Sequence, residues 1–146
     1  EAQKLTRFPV LSAVKATASS GISYSFYNCK ALVSIDEIKL PTDRYIDFTT
    51  TFYGCASLEE IRFSGGKIGK DINFKDCKKL SKESIKSIYN VLSDNGTNVP
   101  TLTLTLSLEA VNKAFETSEG ANNGRDSNEY CELMVCAPLC WTIAHI

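Results

Sequence analysis

The sequence predicts an α/β repeat protein, a short solenoid of about three coils closed by a C-terminal helix–strand–helix–strand cap. Three observations lead there. A motif of fixed apolar positions recurs three times between residues 26 and 80. Beyond residue 81 the pattern changes to helical and alternating stretches. The composition is that of one folded domain over residues 1–146, with 43% hydrophobic and 23% charged residues and a formal net charge of −1. That balance argues against a disordered tail, which is poor in apolar residues and strongly charged. It also argues against a nucleic-acid binder, whose phosphate contacts need a basic excess. No apolar run approaches the roughly 18 residues that cross a bilayer, so no membrane insertion is expected. The chain opens at Glu1 with no leader, and reads either as a processed protein or as an excised fragment.

The repeated units align without gaps. They are Phe26-Tyr27-Asn28-Cys29-Lys30-Ala31-Leu32-Val33-Ser34-Ile35, Phe52-Tyr53-Gly54-Cys55-Ala56-Ser57-Leu58-Glu59-Glu60-Ile61 and Phe74-Lys75-Asp76-Cys77-Lys78-Lys79-Leu80, offset by 26 and 22 residues. Looser apolar stretches precede each Phe: Ile22 and Tyr24, Ile46 and Phe48, Ile68 and Ile72. Each unit therefore reads as a short extended segment, a Phe-containing turn, a Cys and a second short strand. A coil this small cannot bury its own apolar edge, so successive coils stack on a shared core. Asn28, Gly54 and Asp76 suit a turn with unusual backbone angles. Stacking predicts ladders of Phe26, Phe52 and Phe74, of Leu32, Leu58 and Leu80, and of Cys29, Cys55 and Cys77. Cysteine fits such a row as a small apolar side chain with a weak donor.

These F-x-x-C-x-x-L-x-x-I units, with Leu40-Pro41 opening one coil, resemble the BspA-like leucine-rich repeats of bacterial surface proteins. The resemblance covers residues 10–85, a little over half the chain. It implies a leucine-rich-repeat-like solenoid and an extracellular or cell-surface location on a bacterium. It also implies non-enzymatic protein binding or adhesion, with a host protein, a glycan or a neighbouring cell as ligand.

Residues 81–146 read as the capping layer. Ser81 suits the N-cap of a helix to about Leu92, with Ile85, Ile88, Tyr89 and Leu92 on one face. Asp94-Asn95-Gly96 is a turn signal, and Asn95-Gly96-Thr97, though a glycosylation sequon, is better read as that turn. Thr101 to Leu106 alternates with period two, as a half-buried strand does. Ser107 caps a second helix with Leu108, Val111, Ala114 and Phe115 inward. A polar loop from Thr117 to Ser127, a short helix from about Asn128 to Cys136 and a closing strand Trp141 to Ala144 complete the block. The block resembles the ends of repeat proteins from gut bacteria and their phages. That resemblance implies an alternative role as a receptor-binding or structural component of a phage or prophage tail.

Catalytic chemistry is not expected. His145 is the only histidine, and no nucleophile elbow, phosphate loop, dinucleotide fingerprint or calcium loop is present. Asp36 with Glu37, and Glu59 with Glu60, are adjacent residues that a strand would point to opposite faces. No cofactor is expected either. Cys131, Cys136, Cys140 and His145 form a possible tetrahedral zinc set, the basis of a second alternative, a small zinc-stabilised module. Their spacing lacks a C-x-x-C hairpin, and positions 131 and 136 diverge on a helix; free thiols are the leading reading, ahead of a disulfide. For Cys29, Cys55 and Cys77 bridging and plain stacking both fit the strand spacing, with reduced, buried thiols favoured.

Charge is segregated. Residues 61–90 carry a local excess of +5 and residues 107–132 one of −4. The basic stretch could meet an anionic glycan or another subunit's acidic end, or form a solvated turn surface. With Ile35, Leu58, Ile61 and Phe63 inward, the outward neighbours Ser34, Asp36, Glu60 and Arg62 are candidate binding residues, joined by Tyr27 and Tyr53. Aromatic side chains and arginine are what interfaces concentrate their energy in. A protein or glycan partner is expected, and no nucleic acid.

Overall fold

In the computed structural model, which describes residues 4–15, 22–118 and 123–146, the named strands divide into two parallel sheets. β1 (Arg7–Ser12), β2 (Ser34–Leu40) and β3 (Glu60–Gly65) form the first, in that order. Its register sets Ile35 beside both Phe8 and Ile61. β1 carries Pro9, which an edge strand tolerates because proline has no N–H to give to a ladder. β4 (Ile72–Phe74), β5 (Leu102–Leu106) and β6 (Trp141–His145) form the second sheet. Three short helices, α1 (Lys82–Asn90), α2 (Leu108–Ala114) and α3 (Asn128–Val135), connect its strands, with a 3-10 turn at Gly124–Asp126. Each helix starts at a serine whose hydroxyl accepts a first-turn N–H: Ser81 from Ser84, Ser107 from Ala110 and Ser127 from Tyr130.

The chain is thus a small α/β domain, and the expected leucine-rich-repeat-like solenoid of three coils with a C-terminal helix–strand–helix–strand cap is not what it builds. A solenoid needs the strand of every unit to join one continuous sheet. β2 follows Leu32 and β3 follows Leu58, but Leu80 leads directly into α1. That helix lies along β3 and presents hydroxyls where a further strand would present carbonyls. Ser84 Oγ accepts from Ile61 N–H at 2.9 Å, and Ser87 Oγ accepts from Phe63 N–H at 3.0 Å. The next strand position is occupied, so the first sheet ends at β3.

The third unit's strand instead precedes its cysteine, as β4, and pairs with β5. Residues 81–146 are therefore no separate lid: β5 and β6 share a sheet with Ile72, Asn73 and Phe74 from the repeat span. Leu108, expected inward, is exposed, because α2 buries Ala110 and Val111 instead.

One core runs under both sheets. Phe26 and Phe52 stack with centroids 6.3 Å apart, and Phe52 and Phe74 at 4.7 Å. Phe8 meets Phe26 edge-on at 5.2 Å. Leu32, Leu58 and Leu80 are buried beside them. The turns ahead of the cysteines also interlock. Asn28 takes a φ of 57° and donates its N–H to the Tyr53 carbonyl at 2.8 Å. Gly54, at φ 74°, donates its N–H to the Asp76 carboxylate at 3.1 Å. A Cβ on Gly54 would collide with the Asn28 side chain, so the glycine serves both backbone angle and close approach.

Candidate functional site

The side chains that follow each core phenylalanine point the other way and form a row, Tyr27 and Tyr53 exposed and Lys75 half-buried. Tyr27 and Tyr53 are 43% and 45% exposed, with rings stacked at 5.2 Å and 11°. The Lys75 ammonium sits over the Tyr53 ring, 5.6 Å from its centroid. Tyr24, 70% exposed, meets Tyr27 edge-on at 5.8 Å. The sequence reading named Tyr27 and Tyr53 and missed Tyr24 and Lys75. Repeat register could have found Lys75, which follows Phe74 as each tyrosine follows its own phenylalanine.

The stacking has a chemical consequence. Tyr53 has Tyr27 against its ring and a cation over it, which leaves ring edges and phenolic hydroxyls toward solvent. Cation–π and stacked contacts of this kind hold the rings in one geometry.

Ser34, Asp36, Glu60 and Arg62 lie on β2 and β3, where Ser34 is the register partner of Glu60. Asp36 and Arg62 are exposed, while Ser34 and Glu60 are half-buried. Their charges have partners within the chain. Arg7 Nε donates to both Asp36 oxygens, at 3.2 and 3.0 Å, and its Nη2 makes a further contact. The guanidinium holds the Asp36 carboxyl below the usual carboxylate range. Arg62 pairs with Glu60 at 3.2 Å.

The basic stretch is partly answered by the acidic one. Lys78 pairs with Glu109 at 3.7 Å, and Lys82 and Lys86 both reach Glu129, at 2.7 and 2.9 Å. Glu129 is kept below its ordinary pKa by those two hydrogen-bonded ammonium groups. Lys78, Lys79 and Lys113 line a groove of about 410 Å³, with Glu59 on its wall.

The cysteines separate into distinct environments, and all six are free thiols. Cys55 Sγ donates to the Phe26 carbonyl at 3.0 Å, and Cys77 Sγ to the Phe52 carbonyl at 3.7 Å. Burial pushes the Cys55 thiol up to about 12 and the Cys77 thiol well above its ordinary value. These sulfurs link successive units as donors, and Cys29 is buried with them.

Cys131, Cys136, Cys140 and His145 do not converge. Cys140 is buried and donates to the Ser93 carbonyl at 3.4 Å, beside Trp141 Nε1 on the same oxygen at 2.8 Å. Cys136 is exposed, and His145 hydrogen-bonds Tyr130. Among the described residues no group of three or more His, Cys, Asp or Glu is arranged to hold a metal ion. Also among them, no helix is long and apolar enough to cross a membrane.

Comparison with known proteins adds no relative: no family model, curated protein or solved structure matches the chain. The BspA-like resemblance therefore rests on the repeated motif alone, and the fold it implied is the one corrected above.

Proposed function

We propose that the chain is a non-catalytic recognition module that binds a protein partner through the Tyr24–Tyr27–Tyr53–Lys75 row. The carrying observation is the exposed, mutually stacked pair Tyr27 and Tyr53 with Lys75 over the Tyr53 ring. Tyrosines held by neighbours lose little conformational freedom on binding, so contact energy is not spent on ordering them. Their exposed edges and hydroxyls suit hydrogen bonding to a polypeptide. A sugar stacking on an aromatic ring needs an open face, and the Tyr53 ring already has Tyr27 and Lys75 against it. Asp36 is ion-paired with Arg7 of β1 and Glu60 with Arg62, which fits a supporting rim better than a central contact. Display on a bacterial surface is supported by the motif resemblance.

Parallel arrays of extracellular proteins and of glycans, probed with wild type and with Tyr27→Ser/Tyr53→Ser, test the reading. A protein ligand of the wild type is expected to lose at least about thirty-fold in affinity with the double variant, the mark of a hot spot near 2 kcal/mol. Unchanged affinity, or binding confined to glycans, would overturn it.

A further inference from the structure

Three side chains that the tyrosine row does not use meet where α1, α3 and β6 join. The Tyr89 hydroxyl lies 2.9 Å from that of Tyr130, and the Tyr130 hydroxyl 2.7 Å from Nε2 of His145. Tyr130 is fully buried, Tyr89 is 6% exposed and His145 is half-buried. Phe115, at the end of α2, closes over Tyr130 with its ring centroid at 4.9 Å.

Counting hydrogens fixes the direction of this chain. Each tyrosine has one hydroxyl hydrogen to donate. Among the described residues Tyr89 has no hydroxyl partner but Tyr130, so its hydrogen finds an acceptor only on the Tyr130 oxygen. The Tyr130 hydrogen is then left for His145, and Nε2 must accept it. An accepting nitrogen carries no proton, so the neutral ring holds its proton on Nδ1.

We propose that Tyr89, Tyr130 and His145 form a one-way hydrogen-bond chain that locks His145 in its neutral Nδ1–H form and makes this junction a pH-sensitive latch. Protonation turns Nε2 from acceptor to donor. Tyr130 must then turn its hydrogen toward Tyr89, whose own hydrogen is stranded in the core without an acceptor. Leaving a buried hydroxyl unmatched is the costly outcome in hydrogen-bond exchange, so protonation loosens the contacts of α3 with α1 and with β6.

The surroundings act the same way. Burial lowers the His145 pKa from its ordinary 6.5, and Arg125, from the 3-10 turn, opposes a second positive charge. Cys131, next to Tyr130 on α3, is the other titratable neighbour of the chain. β5 places Leu106 in register with His145, and α2 offers the Phe115 ring. Among the described residues no carboxylate is ion-paired to the imidazole.

The sign follows from which state takes up the proton first. The unfolded chain binds it at about 6.5 and the folded chain only at lower pH. The latch is therefore fully closed above 6.5 and loses its contribution as pH falls through the window down to the depressed folded value.

The test uses the full chain labelled with nitrogen-15, in which His145 is the single histidine. Near pH 7.5 the two-bond proton–nitrogen correlation is expected to place the ring proton on Nδ1. In Tyr130→Phe the lock is gone, and the Nε2–H form preferred by imidazole in water is expected to return. Between about pH 7.5 and pH 5 the thermal midpoint of the wild type is expected to fall roughly 3–10 °C further than that of His145→Gln. A wild-type ring protonated on Nε2, an Nδ1–H form that survives Tyr130→Phe, or equal losses in wild type and His145→Gln would each overturn the latch. The wild-type tautomer and the His145→Gln comparison stand whether or not Tyr130→Phe folds.

Discussion

Replacing Ser84 by alanine removes one oxygen and tests why the first sheet stops where it does. Ser84 is fully buried, and its hydroxyl makes three short contacts besides two longer ones at 3.4 Å, to Arg62 Nη1 and Glu60 Oε2. It accepts from Ile61 N–H at 2.9 Å, accepts from Ser81 Oγ at 2.9 Å, and donates to the Glu59 carbonyl at 2.9 Å. The Glu59 carbonyl keeps another donor in the Ser81 N–H, also at 2.9 Å. The Ile61 N–H keeps none of comparable geometry, on a residue that is fully buried. An orphaned buried donor costs about 1–3 kcal/mol. Alanine returns roughly 0.5 kcal/mol as the better helix former. The net expectation is a loss of about 1–2 kcal/mol, seen as a thermal midpoint lower by about 2–8 °C.

Urea unfolding supplies the free energy, and amide exchange supplies the location. The Ile61 amide is expected to lose protection by more than the amides of β2. In the Ser84→Ala/Ser87→Ala double variant the Phe63 amide should follow, with a smaller added cost because water has partial access to it. A change under about 0.5 kcal/mol with Ile61 still protected would refute the idea that α1 hydroxyls close this edge.

Further outcomes follow from the same geometry. With an alkylating reagent near pH 8, only Cys136 and Cys131 are expected to react in the folded state, and all six thiols after unfolding without reductant; intact mass counts the labels. More than two labels on the folded protein, or fewer than six on the unfolded one, would contradict the burial and thiol assignments. Gly54→Ala is expected to lose about 1–2 kcal/mol or more in urea unfolding, because alanine at φ 74° is strained and its methyl meets Asn28. Gly96→Ala shares the φ of 74° but has open space, so it isolates the backbone part and should cost less.

Local features were legible from residue type. Ser81 and Ser107 mark helix starts because a side-chain oxygen two or three residues ahead of free N–H groups has few other uses, and both cap helices here. The alternation through Leu102–Leu106 marks a strand, and it is one. The recurrence of phenylalanine, cysteine and leucine marks positions that are all buried, because each repeats the same local turn against the same apolar neighbours.

The pairing of elements was not legible. That the segment after Leu80 is a helix was legible from Ser81 and the spacing of Ile85, Ile88 and Tyr89, but that this helix closes the edge of β3 depends on Ser84 and Ser87 meeting its open donors, partners some twenty residues away in sequence. No local pattern announces that match, and it alone separates a continuous solenoid from two sheets. The same holds for the candidate sites. Exposure of Tyr27 and Tyr53 could be inferred from their place beside buried phenylalanines, whereas the chain from Tyr89 through Tyr130 to His145 joins residues from three elements. Sequence by itself determined which positions of the repeated units turn inward and where helices begin, since those follow from neighbouring chemistry along the chain. Tertiary structure alone decided which strands share a sheet and which hydroxyls meet, since those follow from hydrogen-bond donors and acceptors matched across the folded core.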